Sequence, residues 1–244
     1  WESITSPLTI KELSVGPGAM RDFHSEIKAK LISKYAAGKS VIDIGSGKGE
    51  DVGKYVKANS KPVVGFDLVK EEYPHPNYMT FHKVNNEVYT IKNYVKQKFD
   101  VININFAIHY FFKNRKTFES LVMNIHDNLK KGGVVMATVL DGKLVYQALK
   151  GKNKVNTNKY TMTKKYNNST NFNSPKFKML GQEVEMLVKG TKYFNKPISE
   201  FLFNFDKFMK IMEQMGFELV AKGNFQEFCS ESEWCRRYMT EAEK

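Results

Sequence analysis

The chain has 244 residues, 41% of them hydrophobic and 13% aromatic, which suits one large domain with a packed core and argues against a disordered chain. Its 38 Lys and Arg against 26 Asp and Glu give a formal net charge of +12, pointing to a polyanion such as nucleic acid, or to an anionic membrane surface. No run of 18 apolar residues is present to span a membrane, and Cys229 and Cys235 have no His or Cys pair near them at zinc-finger spacing, so they read as free thiols and no metal is expected.

In chain order, Trp1-Glu2-Ser3-Ile4 carries neither an initiator Met nor a signal pattern, which suggests a domain cut from a longer polypeptide. Residues 1–19, rich in Pro and Gly, read as an extended arm ahead of a domain over 20–244. Met20, Phe23, Ile27, Leu31 and Tyr35 recur at helical spacing, so a helix is expected from Met20 to Tyr35, ended by Gly38. Strands and helices then alternate: Val41–Ile44, helix Glu50–Lys57, Val63–Asp67, Met79–Val84, Val101–Asn105, helix Arg115–Leu129 and Val134–Val139. Lys130-Lys131-Gly132-Gly133 reads as a helix end with cations on the last carbonyls and a glycine stop. This alternation predicts an α/β fold with a mostly parallel sheet wrapped by helices. Asn153 to Asn173, dense in Asn, Lys and Thr, shows no period and reads as a mobile basic insertion over about 151–175. A strand at Lys189–Phe194, a helix at Asp206–Met215 and a strand at Phe217–Val220 are expected to finish the sheet in antiparallel sense.

The chemistry concentrates in Val41-Ile-Asp-Ile-Gly-Ser-Gly-Lys-Gly-Glu-Asp51. A buried strand runs into a glycine turn and a helix, so a ligand can lie against bare backbone. A second strand ends in Asp67, twenty-four residues after Asp43, where an acid would hold ribose hydroxyls. The phosphate-binding loop of ATPases does not fit, because Lys48 is followed by Gly49 and not by Ser or Thr. The dinucleotide pattern fails as well, with Glu50 where its third glycine belongs. Asp-x-Gly-x-Gly-x-Gly flanked by acids suits a cationic ligand without a pyrophosphate, such as S-adenosylmethionine.

After the fourth strand comes Asn105-Phe106-Ala107-Ile108-His109-Tyr110-Phe111-Phe112, at the ligand-facing end of the sheet. In that position Phe-Ala-Ile-His-Tyr resembles the messenger RNA cap guanine-N7 methyltransferases. Met20-Arg-Asp-Phe-His-Ser-Glu-Ile-Lys28 is similar to that family's leading helix, the glycine motif matches with its Lys included, and Ile198-Ser-Glu-Phe-Leu202 stands where the family has a Pro-Glu-Tyr-Leu-like segment. The resemblance runs from about residue 20 to 220 and implies a Rossmann-like class I methyltransferase, with a seven-stranded, mostly parallel sheet, helices on both faces and an antiparallel finish. The Lys- and Asn-rich composition suggests the methyltransferase domain of a large-DNA-virus capping enzyme.

By that resemblance Lys28 would hold the carboxylate of S-adenosylmethionine, Asp43, Gly45 and Gly47 would lie along its methionine part, and Asp67 would take its ribose. Asn85 and Asn86 replace the family's adenine-contacting acid, with a side-chain carbonyl to accept from the adenine amino group. Asn105 stands where the family has Gln. His109, Tyr110 and Glu200 would address the guanine, Lys48 the cap phosphates, and Tyr238 would stack on the base. The sequence departs from the family at Ser25 (Asn), Glu26 (an aromatic), Ser46 (Cys) and Leu140 (a Pro that packs on guanine).

Guanine N7 carries a free lone pair at neutral pH, so in-line transfer needs orientation and electrostatics but no catalytic base. S-adenosylhomocysteine would be the product. The implied partners are a capped RNA 5′ end and other capping domains in the same polypeptide, with no membrane. The implied location is the cytoplasm (a viral factory or virion), or the nucleus for a cellular enzyme. The competing readings are a methyltransferase for another RNA or small-molecule acceptor, and an inactive methyltransferase fold kept as an RNA-binding or stimulatory module.

Overall fold

A computed structural model describes residues 17–68, 77–85, 87, 90–158, 160–167, 170–189, 196–223, 225 and 227. Asn86, Cys229, Cys235 and Tyr238 lie outside the described residues, as do residues 1–16 of the arm expected over 1–19, whereas Pro17 to Ala19 already belong to the first helix. The chain packs as two compact units, one spanning Ser25–Thr138 and the other taking the chain up to His24 and from Val139 onward.

In the first unit five strands lie parallel in the order β3-β2-β1-β4-β5. They are β1 (Val41–Ile44), β2 (Val63–Asp67), β3 (Met79–Lys83), β4 (Phe99–Asn105) and β5 (Leu129–Thr138). Every residue of β1 is buried, as a central parallel strand covered on both faces requires. Its neighbours are β2, with Asp43 opposite Gly65, and β4, with Asp43 opposite Asn103. The chain runs outward from β1 to β3 and then returns to the other side of β1, so the strand order reverses between β1 and β4. A crevice outside the carboxyl ends of these two strands is where such sheets bind ligands.

The helices follow their sequence signals. In α1 (Pro17–Ala36) the buried stripe is Phe23, Ile27, Ile32 and Ala36, which leaves the expected Leu31 and Tyr35 half-buried on its flank. The short α2 (Val52–Lys57) buries Val52 and Tyr55. Before α3 (Arg115–Asn128), Asn114 and Thr117 form a reciprocal cap: the Thr117 N–H donates to the Asn114 side chain at 3.0 Å, and the Asn114 N–H to the Thr117 hydroxyl at 3.1 Å. Lys130 to Gly133 proves not to be a helix stop. α3 ends at Asn128, and β5 begins directly with Leu129 opposite Phe99. The register shift between Phe99 and Val101 then takes up the extra residues. Lys130 reaches Asp100 at 2.8 Å.

The second unit holds an antiparallel sheet of its own, in the order β6-β7-β8-β9. Its strands are β6 (Lys154–Asn156), β7 (Tyr160–Lys164), β8 (Glu183–Val188) and β9 (Ile198–Phe201). They pack with α4 (Gly142–Ala148) around Val145, Leu149, Met162, Tyr166, Phe172, Phe177, Val184 and Leu202. This unit also holds α5 (Phe205–Gln214), capped by the Asn204 side chain, which accepts from the Lys207 N–H. Several expectations are corrected here. The supposed insertion over 151–175 contains the β6–β7 hairpin, because Val155, Tyr160 and Met162 turn one face onto that core. β8 precedes the expected strand, of which only Lys189 is described, and residues 217–220 form no strand. Among the described residues the parallel sheet has five strands, and the antiparallel strands form a separate sheet rather than completing one of seven.

Candidate active site

The crevice at the switch point opens as a cavity in the first unit. Its walls are Ile44 and Gly45 after β1, Asp67 and Leu68 after β2, Asn85 and Glu87 beyond β3, and Phe106, Ala107, Tyr110 and Phe111 beyond β4. Gly45, Asp67, Asn85 and Tyr110, all named from the sequence, thus come together.

The glycine loop meets this cavity at Gly45. Its φ is +74°, and a Cβ there would stand 2.3 Å from the Ala107 Cβ, so the residue is required both by its backbone and by the approach of the opposite wall. Gly47 has a φ of +56° with open space around it. Gly45→Ala should therefore lower the melting temperature and weaken donor binding, and Gly47→Ala should do less of both. Thermal melts and calorimetry with S-adenosylhomocysteine check this, and equal effects would exclude it. The loop is tied to β2, because the Gly47 N–H donates to Asp67 Oδ2 at 2.7 Å.

Beneath the loop lies a buried network. Asp43 is 2% exposed; its Oδ1 accepts from Asn103 Nδ2 at 3.0 Å, and the same amide donates to the Tyr55 hydroxyl at 2.7 Å. Burial, reinforced by the charge of Asp51, pushes the Asp43 carboxyl up to about 7. The residue is a support below the loop and not part of the cavity wall.

Asp51, at the far end of the motif, gathers two of the expected cofactor residues. Its Oδ1 meets Lys28 Nζ at 2.8 Å and Lys54 Nζ at 2.7 Å, and its Oδ2 accepts from Asn105 Nδ2 at 3.2 Å. Asn105 in turn accepts from the Thr138 hydroxyl at 3.1 Å. Burial works against the Asp51 carboxylate, yet the Lys28 and Lys54 ammonium groups hold it below the usual range. Sequence reasoning treated Asp51 as a helix start and passed over Lys54. The available signal was an acid ending a glycine motif, with a Lys three residues on.

Sequence reasoning also missed Glu87. The Asn85 carbonyl expected for adenine accepts the Glu87 N–H at 2.9 Å, and Glu87 stands beside it as an acid in the cavity wall. Phe106 was read only as part of an aromatic run. It adopts φ +52°, uncommon for a non-glycine residue, as the chain turns from β4 into a 3-10 turn at Ile108–Phe112.

His109 is 4% exposed, with its ring centroid 4.2 Å from that of Tyr110, and burial lowers its imidazole to about 3. Lys48 is exposed on the loop. Glu200 belongs to β9 of the second unit, on the sheet face it shares with its partner Val184. The residue is partly exposed, and burial of its carboxyl pushes it up to about 7. No group of three or more His, Cys, Asp or Glu among the described residues is arranged to hold a metal.

Residues 73–240 match the model of the mRNA (guanine-N(7))-methyltransferase domain. The chain belongs to this family. The mRNA-capping enzyme of African swine fever virus is 27% identical over the whole chain, which spans about a third (33%) of that relative's length. The mRNA cap guanine-N(7) methyltransferase of Candida glabrata is 22% identical over 90% of this chain and 58% of its own. Among solved structures, an S-adenosylmethionine-dependent methyltransferase from Clostridium acetobutylicum superposes with a TM-score of 0.53 at 12% identity, covering 82% of both chains. That likeness establishes the Rossmann-like methyltransferase fold for this chain, and Asp67, Gly45 and the cavity between them occupy the crevice that such a fold offers a ligand.

Proposed function

We propose that this chain transfers the methyl group of S-adenosylmethionine to N7 of the guanine in a messenger RNA 5′ cap. The family match across most of the chain carries this reading. The cavity fits the donor: it offers a backbone cradle that a Cβ at Gly45 would fill, a carboxylate at the tip of β2, and apolar walls from Ile44, Leu68, Phe106 and Phe111 for a planar base. When bound, the donor supplies an electrophilic methyl group on a cationic sulfonium.

Asp67 would accept from the ribose hydroxyls, and Asn85 or Glu87 from the adenine amino group. Gly45 and Gly47 would line the methionine part, Asp43 would brace them from below, and Lys28, positioned with Asn105 through Asp51, would meet the donor's carboxylate. Guanine N7 needs no proton removed, so the residues around it have to orient the base and exclude water, a contribution that reaches roughly 7–11 kcal/mol in well-aligned systems. Tyr110 and His109 are assigned to the base and Lys48 to the cap phosphates. Glu200 is assigned to the guanine N1–H and amino group, where a carboxylate stabilises the positive charge that the purine gains. The viral relative is named an mRNA-capping enzyme and this chain spans a third of it, which supports further capping domains in the same polypeptide and a cytoplasmic viral factory as its location.

Incubation with labelled S-adenosylmethionine and a guanine-capped RNA should place the label on guanine N7, as located by mass spectrometry. No transfer, or a methyl group found on a ribose or an exocyclic nitrogen, would overturn the assignment.

A further inference from the structure

The positive charge of this chain is unevenly distributed. Between Asp141 and Glu183 lie 41 residues with nine lysines and no acid, whereas 26 acids spread evenly over the chain would place about four there. That stretch accounts for nine of the twelve net positive charges. It is not a loose solvated tail, because it folds into α4 and the β6–β7 hairpin, with β6 at the edge of the antiparallel sheet.

The structure sorts these lysines. Lys165 pairs with Glu185 at 3.0 Å, and Lys164 lies 4.9 Å above the Tyr166 ring. Lys150, Lys152 and Lys154 are exposed and take no ion pair among the described residues. They recur at alternate positions along the turn after α4 and into the edge strand. Val155 packs on the core beside Met162, so its neighbour Lys154 projects to the opposite, exposed face. Lysine on an edge strand also discourages strand-to-strand aggregation. That accounts for Lys154 but not for Lys150 and Lys152, which precede the strand.

We infer that the segment Lys150–Lys154 is a second RNA contact, which binds the phosphate backbone of the transcript beyond its cap. The inference rests on the proposed cap methylation and adds a separate site to it. No aromatic ring among the described residues lies over these ammonium groups, and exposed lysines recognise phosphate charge and not base identity, so binding here is independent of sequence and sensitive to salt.

The test compares the chain with its Lys150→Gln/Lys152→Gln/Lys154→Gln variant. Fluorescence anisotropy with a capped RNA of about 20 nucleotides across 50 to 200 mM KCl reads the salt dependence, at about 0.7 log units per phosphate neutralised on a single strand. The variant's slope should be shallower by about 2, so the unmodified chain loses about 20-fold more affinity over that range. Methylation of a cap dinucleotide should be unchanged. An unchanged slope would overturn the inference, as would retained RNA binding with loss of association to another capping domain, which would assign the lysines to an acidic protein surface. If the triple variant melts early, Lys152→Gln alone should still lower the slope by about 0.7. Absence of methyl transfer to the dinucleotide by the unmodified chain would sink the cap reading and leave the anisotropy result standing.

Discussion

Asp67→Ala should weaken binding of S-adenosylhomocysteine about a hundredfold, while the protein still folds. A carboxylate that accepts from two ribose hydroxyls makes charge-assisted hydrogen bonds of about 1.5–3 kcal/mol each, and about 3 kcal/mol in total corresponds to roughly two decades in affinity. Asp67 also accepts from the Gly47 N–H, so its loss loosens the cradle as well as removing the contact. Asp67→Asn keeps an acceptor oxygen and should fall between the two. Titration calorimetry gives the constants and a thermal melt checks folding. An Ala variant that binds the ligand with unchanged affinity would remove Asp67 from the site.

The second large effect concerns turnover. Glu200→Gln should lower kcat about a hundredfold, the size of effect seen when one electrostatic partner of a developing charge is removed. Burial holds this carboxyl at about 7, above its ordinary value of 4.5. Its protonated form therefore persists to near neutrality, and the carboxylate that would favour a cationic purine in the proposed role forms only as pH rises through that value. Turnover at saturating donor should climb with pH through about 7 and then level off, and the Gln variant should be flat. Asp43 also titrates near 7, so Asp43→Asn serves as the control. A step that survives in Glu200→Gln and vanishes in Asp43→Asn would assign it to the support beneath the loop.

The parallel sheet could be read from sequence because β1, β2 and β4 are short apolar runs punctuated by Gly, Asp and Asn, and tertiary pairing agreed with local pattern. The β6–β7 hairpin escaped because only one face of three to five residues is apolar, set among Asn and Lys that signal a loop. Lys130 to Gly133 misled for the opposite reason: a strong local stop signal was overridden by pairing with β4. In the site, Gly45 and Asp67 were legible because both sit at strand ends fixed by spacing. The sharing of Asp51 by Lys28 and Lys54 was not, since it needs α1 brought against the start of α2. Glu87, an acid in the cavity wall, was passed over because the two asparagines before it were read as standing where the family has an acid.

An imidazole that stays uncharged down to about pH 3 has a consequence for the base proposed to lie near it. As methylation turns a neutral purine into a cation, a charged ring close by would repel it, and His109, buried against Tyr110 with its imidazole lowered to about 3, would add no such charge near the base proposed to meet Tyr110. Acidification should thus leave His109 unchanged, and a fall in activity between pH 7 and 5 should trace first to Glu200 and Asp43, the two carboxyls held near 7.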